Sequence, residues 1–88
     1  MDLAYDPNKQ QSNLRKHGID FKDVRRFDFL SAWIREDRQC DYGETRWIAL
    51  GLIDRRLHVL CFTETTTGIR VISLRKATRQ EVNAYDNR

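Results

Sequence analysis

Cysteine is scarce in this 88-residue chain: Cys40 and Cys61 stand far apart, with no CxxC and no histidine at ligand spacing. That pattern excludes the usual zinc-ligand sets and a disulfide framework, so both thiols are expected to be reduced and structural. Long apolar runs are missing as well. The longest, Trp47 to Ile53, is far too short to cross a bilayer, and Met1 to Tyr5 already contains Asp2. No secretory leader, no membrane partner and a cytoplasmic location are therefore expected. There is no P-loop, no paired-carboxylate motif and no nucleophile elbow, and nothing calls for a metal or another cofactor.

What is present fits one small domain over residues 1–88, with 40% hydrophobic and 33% charged residues. This is too apolar for a disordered chain and too short for two cores. The formal charge of +3 is unevenly spread. Residues 1–44 carry 8 Lys/Arg against 9 Asp/Glu, whereas residues 45–88 carry 8 against 4. From Gly68 to Arg79 there are four cations, Arg70, Arg75, Lys76 and Arg79, and no acid. Such a stripe favours a polyanion such as RNA, or an acidic protein, although a solvated face is the more common explanation of any single cluster.

Local signals predict an α+β order. Asp6-Pro7 opens a helix, because Asp6 can accept from free N–H groups and Pro7 needs no donor partner in the first turn. Gly18 closes it in the left-handed conformation. Arg15, Lys16 and His17 then lie in the last turn, where cations face unpaired carbonyls, so helix termination and phosphate contact both account for them. Asp20 starts a second, shorter helix whose Phe21, Val24 and Phe27 face the core. Strands are predicted at Phe29–Glu36, Arg46–Ile53, Leu57–Thr63 and Ile69–Arg75, with an edge strand at Asp2–Tyr5 and a loop over Asp37–Gly43. These make a mainly antiparallel sheet of four to five strands. The Thr78 to Glu81 capping box begins a final helix, and Val82 and Tyr85 would face the sheet.

Strict alternation along the last strand puts Arg70 and Arg75 on opposite sides, although a bend or bulge near its end would bring Arg75 to Lys76. Metal-free RNA cleavage, by attack of the 2′-hydroxyl on the adjacent phosphate, needs a base, an acid and cations for the charge on phosphorus. Arginine suits the last role through its planar, permanently charged fork. His17 suits proton transfer, with Lys76, Glu64 or Tyr85 as substitutes. His58, inside an apolar strand, reads as a hydrogen-bonded sheet residue. Trp33 and Trp47 could stack on bases or pack in the sheet.

The order of YDPNK, NLRKHGIDF, YGETRWIALG and IRVISLRKATRQE, with Tyr85 close behind, resembles the BrnT family of type II toxin–antitoxin toxins over nearly the whole chain. The resemblance implies a RelE-like fold and a metal-independent endoribonuclease that arrests translation. It also implies neutralisation by a BrnA-type antitoxin, a DNA-binding dimer expected to form a 2:2 complex that represses its own operon, so that operator DNA is met only through the antitoxin. The family's KHG block falls on Lys16, His17 and Gly18, its strand-opening arginine on Arg46, its basic run on Arg70, Arg75 and Lys76, and its acidic and aromatic tail on Glu81 and Tyr85. The expected catalytic set is His17, Arg46, Arg70, Arg75, Lys76 and Tyr85, with Lys16 and Arg79 binding RNA. Glu64 is followed by Thr65 where the family often has arginine. The competing reading is a non-catalytic antitoxin-binding module that acts as co-repressor.

Overall fold

The computed structural model of the chain describes residues 1–39 and 41–88, so Cys40 lies outside the described residues. Strand β1 (Asp2–Ala4) leads into helix α1 (Pro7–His17), a 3-10 turn (Phe21–Arg26), strands β2 (Trp33–Asp37), β3 (Arg46–Ile53), β4 (Arg56–Glu64) and β5 (Gly68–Lys76), and helix α2 (Arg79–Asp86). The strands form one sheet in the order β1-β5-β4-β3-β2, antiparallel except for the parallel β1–β5 pair. Among the described residues no helix is long and apolar enough to cross a membrane.

The expected helix signals operate. The Asp6 carboxylate accepts from the Asn8 N–H at 2.8 Å, Pro7 occupies the first turn, and Gly18 at φ 71° donates its N–H to Leu14 O at 2.8 Å. Thr78 and Glu81 form the complete capping box of α2. Two expectations need correction. The segment after Asp20 is a 3-10 turn instead of an α-helix, although Phe21, Val24 and Phe27 are buried as the apolar stripe requires. Strand β2 begins at Trp33, not Phe29, because the Asp28 carboxylate accepts from the Leu30 N–H and the Ser31 hydroxyl and folds residues 28–31 into a turn.

Each face of the sheet buries its own cluster. One face, under α1 and the 3-10 turn, carries Ala49, Leu60, Phe62, Val71 and Leu74 against Phe21, Val24 and Phe27. Gly51 lies on this face, where a Cβ would come within 2.4 Å of the Phe27 ring, so the glycine makes room for the phenylalanine. On the other face Leu50, Leu57, Val59 and Ala77 pack against Val82 and Tyr85 of α2. Burying both faces explains why β3 and β4 read as nearly continuous apolar runs. The β3–β4 hairpin turns at Asp54, which takes φ 56°, a conformation that aspartate tolerates better than most residues.

Helix α1 lies against β5 through a buried amide. Strand β1 pairs only with Gly68–Arg70. Beyond it, the Asn13 side chain donates to Leu74 O at 2.8 Å and accepts from Leu74 N–H at 3.2 Å, as a neighbouring strand would. The same amide donates to Ile19 O at 3.1 Å, tying the helix exit to the sheet. An asparagine that weakens a helix interior is here kept for a tertiary contact.

Candidate functional site

A bulge in β5 decides which side chains share a face. Cys61 pairs with Ser73 and Phe62 with Val71, leaving Ile72 as an extra residue on β5. One inserted residue reverses the alternation. Arg70, Ser73 and Arg75 therefore lie on the same side, the α2 face, which corrects the expectation that the two arginines point apart. Lys76 pairs with His58 and falls on the opposite face, so the bulge does not join it to Arg75. Arg46, one residue before Trp47 and two before Ile48, shares the α2 face as well.

Strands β3 and β5 both run antiparallel to β4 and so start at the same end of the sheet, which brings Arg46 and Arg70 together. Their meeting point is Glu44. The Arg70 guanidinium donates from Nη2 to both carboxylate oxygens, at 2.7 and 2.6 Å, and Arg46 Nη2 lies 3.6 Å from the nearer one. Arg70 and then Arg46 hold the Glu44 carboxyl below its usual range. Arg46 also stacks its guanidinium 3.9 Å from the Tyr42 ring centre, and its Nε is buried without a hydrogen-bond partner among the described residues. The Thr63 hydroxyl fixes the strand entrance by donating to Thr45 O at 2.8 Å.

Arg75 lies farther along β5, roughly 13–16 Å from Arg70 at about 3.3 Å per residue. Its two terminal nitrogens donate to the two Glu81 oxygens at 2.7 and 2.9 Å, and Glu81 also accepts from the Thr78 N–H at 2.8 Å. The paired guanidinium and the capping bonds lower the Glu81 carboxyl from 4.5 to about 2. In this arrangement Arg75 fastens α2 to β5. Tyr85 is similarly engaged, donating its hydroxyl to Ser31 O at 2.8 Å beneath the Arg88 guanidinium. Arg79 is exposed at the start of α2.

His17 lies half-buried at the end of α1 and lines a shallow pocket of about 240 Å³ with Lys9, Ser12, Asn13, Lys16, Ile72 and Ser73. Ser73, which register places on the α2 face, lines this pocket where it opens beside β5. Glu64 lies on the face opposite Arg70, level with Ile69, so Glu44 supplies the carboxylate on Arg70. His58 is 4% exposed, with its Nδ1 2.8 Å from Arg56 O, and burial pushes its pKa down, as suits a neutral sheet residue. Cys61 is a free, half-buried thiol whose pKa burial pushes up, which disfavours the thiolate.

Sequence reasoning missed Glu44, Ser73, Lys9 and Asn13. The signal for Glu44 was available, because residues two apart in an extended segment point the same way, and YGETR places an acid two positions before Arg46. The signal for Lys9 and Lys16 is helical, since positions i and i+7 share a face.

The family model described as "Ribonuclease toxin, BrnT, of type II toxin-antitoxin system" matches residues 5–81 of this chain. Among solved structures, the ribonuclease toxin BrnT of Brucella abortus matches with a TM-score of 0.72 and 29% sequence identity, over 90% of this chain and 99% of that one. Among curated proteins none matches.

Proposed function

We propose, on the premise that this chain belongs to the BrnT family of ribonuclease toxins of type II toxin–antitoxin systems, that it is a metal-independent endoribonuclease of RelE-like fold that cuts RNA and so halts translation. The observation that carries the reading is the convergence of Arg46 and Arg70 on one carboxylate. Two guanidinium groups aimed at one anion are what a phosphodiester passing through a doubly charged phosphorane requires. The RNA 2′-oxygen forms a bond to the adjacent phosphorus, its proton passes to a base, and the 5′-oxygen leaves with a proton from an acid. The product ends are a 2′,3′-cyclic phosphate and a 5′-hydroxyl.

His17 is the proton-transfer group in this scheme, because its pocket adjoins Ser73 on the arginine face. Lys16 beside it and Arg79 on α2 guide the flanking RNA. Arg75 contributes charge to the same face while holding α2. Lys76, on the far face, and Tyr85, whose hydroxyl is taken by Ser31, are left outside the phosphate contact. The antitoxin is a BrnA-type DNA-binding dimer that covers the arginine face in a 2:2 complex, where opposite charge speeds the encounter. Through it the toxin meets operator DNA in the cytoplasm and represses the shared operon.

Purified protein incubated with RNA in excess EDTA tests the chemistry. Fragments ending in 2′,3′-cyclic phosphate are expected, with cleavage reduced at least about 100-fold in the Arg46→Ala, Arg70→Ala double variant. RNA that stays whole, or cleavage that EDTA abolishes, refutes the proposal. Whole RNA together with retained antitoxin binding would leave the co-repressor module as the function.

A further inference from the structure

We infer that Glu44 is a resident stand-in for the RNA phosphate: its carboxylate occupies the anion position between Arg46 and Arg70, and substrate binds by displacing it. The inference rests on the ribonuclease reading for the identity of the incoming anion.

The geometry supports it in three ways. First, Glu44 holds the anion position unequally, with both oxygens within 2.7 Å of one Arg70 nitrogen while Arg46 stays 3.6 Å away. The contact with Arg70 is bifurcated on a single nitrogen, without the parallel two-nitrogen fork of the strongest arginine–carboxylate pairs. A planar carboxylate turned toward Arg70 leaves Arg46 short of hydrogen-bond distance. A tetrahedral phosphodiester presents its two non-bridging oxygens more widely and can give one to each guanidinium. Second, Arg46 is held ready. Its ring stacking on Tyr42 and its largely buried stem, only 20% exposed, fix the guanidinium where it lies. Third, Glu44 can leave. It sits outside the regular strand, two residues before β3, with its side chain 33% exposed, so displacement moves a solvated carboxylate a short way into water and breaks no buried packing.

The physical consequence is twofold. Without an anion, two guanidinium groups brought to one point would repel each other, and Glu44 offsets that repulsion, keeping the pair converged before substrate arrives. The same carboxylate competes with RNA and reduces the positive charge that the phosphate meets. Glu44 is therefore a positioning residue for the arginines and a brake on RNA affinity.

The test uses a single-stranded oligonucleotide carrying 2′-O-methyl groups, which lack the attacking hydroxyl and cannot be cut by this route. Binding is followed by fluorescence anisotropy over a range of salt concentrations, for the unsubstituted protein and the variants Glu44→Gln and Glu44→Asp. Glu44→Gln is expected to bind about 5–10-fold tighter near 0.1 M salt. Its plot of log affinity against log salt is expected to be steeper by about 0.7, the increment for one more neutralised phosphate on a single strand. Glu44→Asp, which keeps the charge, is expected to retain the wild-type slope. Binding by Glu44→Gln that is unchanged or weaker, with its melting temperature intact, overturns the proposal by making Glu44 a neutral bystander or an RNA contact. Should Glu44→Gln fail to fold, a steeper salt slope in Glu44→Asp than in wild type overturns it equally. Absence of binding in every form also overturns it. Because the probe is uncleavable, tighter binding here with no cutting of ordinary RNA would sink the ribonuclease reading alone.

Discussion

If Arg75 serves chiefly to fasten α2, replacing it should register as lost stability with a characteristic pH dependence. The Glu81 carboxylate receives two guanidinium nitrogens and the Thr78 N–H, and its pKa stands at about 2 against an ordinary 4.5. At about 1.4 kcal/mol per pH unit, that difference sets a ceiling of about 3.5 kcal/mol. The side chains of Arg75 and Glu81 are 36% and 28% exposed, however, so solvent screening brings the contribution to about 1–2 kcal/mol. The sign follows from the depressed carboxyl. The stabilisation is present in full above the unfolded value near 4.5 and is lost as pH falls from there toward 2.

Arg75→Ala should therefore lower the melting temperature at pH 7 by roughly 5–15 °C, given about 4–8 °C per kcal/mol for a domain of this size. The fall in stability between pH 4.5 and 2 should be shallower in the variant, since its Glu81 keeps only the capping bond. A double-mutant cycle with Glu81→Gln should return a coupling of about 1 kcal/mol. Calorimetry at pH 7, 4 and 3 measures all three. A coupling below about 0.3 kcal/mol, or a pH slope in Arg75→Ala equal to wild type, would refute the fastening role and return Arg75 to the phosphate-binding set. Either result decides whether loss of toxicity in Arg75 variants reports on folding or on chemistry.

Asn13→Ala removes three buried hydrogen bonds and strands both backbone groups of Leu74. It should cost about 2–4 kcal/mol in urea unfolding, and a cost below about 1 kcal/mol would show that the amide is replaceable. Gly51→Ala would press a methyl group into the Phe27 ring and should cost about 1–3 kcal/mol. Pairing it with Phe27→Leu should recover part of that loss, and strictly additive costs would exclude the steric explanation.

The signals that proved readable are those settled within a few residues. Asp6-Pro7, Gly18 and the Thr78 to Glu81 box fixed both helices, since a cap needs only its own turn of backbone. The β3–β4 hairpin followed from two apolar runs around a short polar turn. Decisions made between distant segments stayed hidden. Nothing in IRVISLRK announces that Ile72 is the extra residue, because the bulge is defined by where Ser73 and Val71 meet β4. Asn13 likewise looks like an ordinary helix residue until Leu74, 61 positions away, needs a partner.

The same division explains why residue type suggested the candidate arginines while their arrangement stayed out of reach. Residue type sufficed to select arginines as anion holders, since chemistry restricts that role to few side chains. Which of them cooperate depends on strand direction and on parity. Direction puts the starts of β3 and β5 at one end, joining Arg46 to Arg70, and leaves Arg75 to a second carboxylate near the other end. Parity, reset by a single residue, keeps Arg75 on that face and sends Lys76 through to the other. The converging pair and the single Arg75 are each balanced by an acid close by in sequence, Glu44 two residues before Arg46 and Glu81 six after Arg75. Only the first of these acids lies outside a helix cap. Glu81 closes a capping box and cannot depart without uncapping α2, whereas Glu44 precedes its strand and can yield to an incoming phosphate. On the proposed ribonuclease reading, the end of the sheet whose counter-ion lies outside any helix cap is the end assigned to the phosphate.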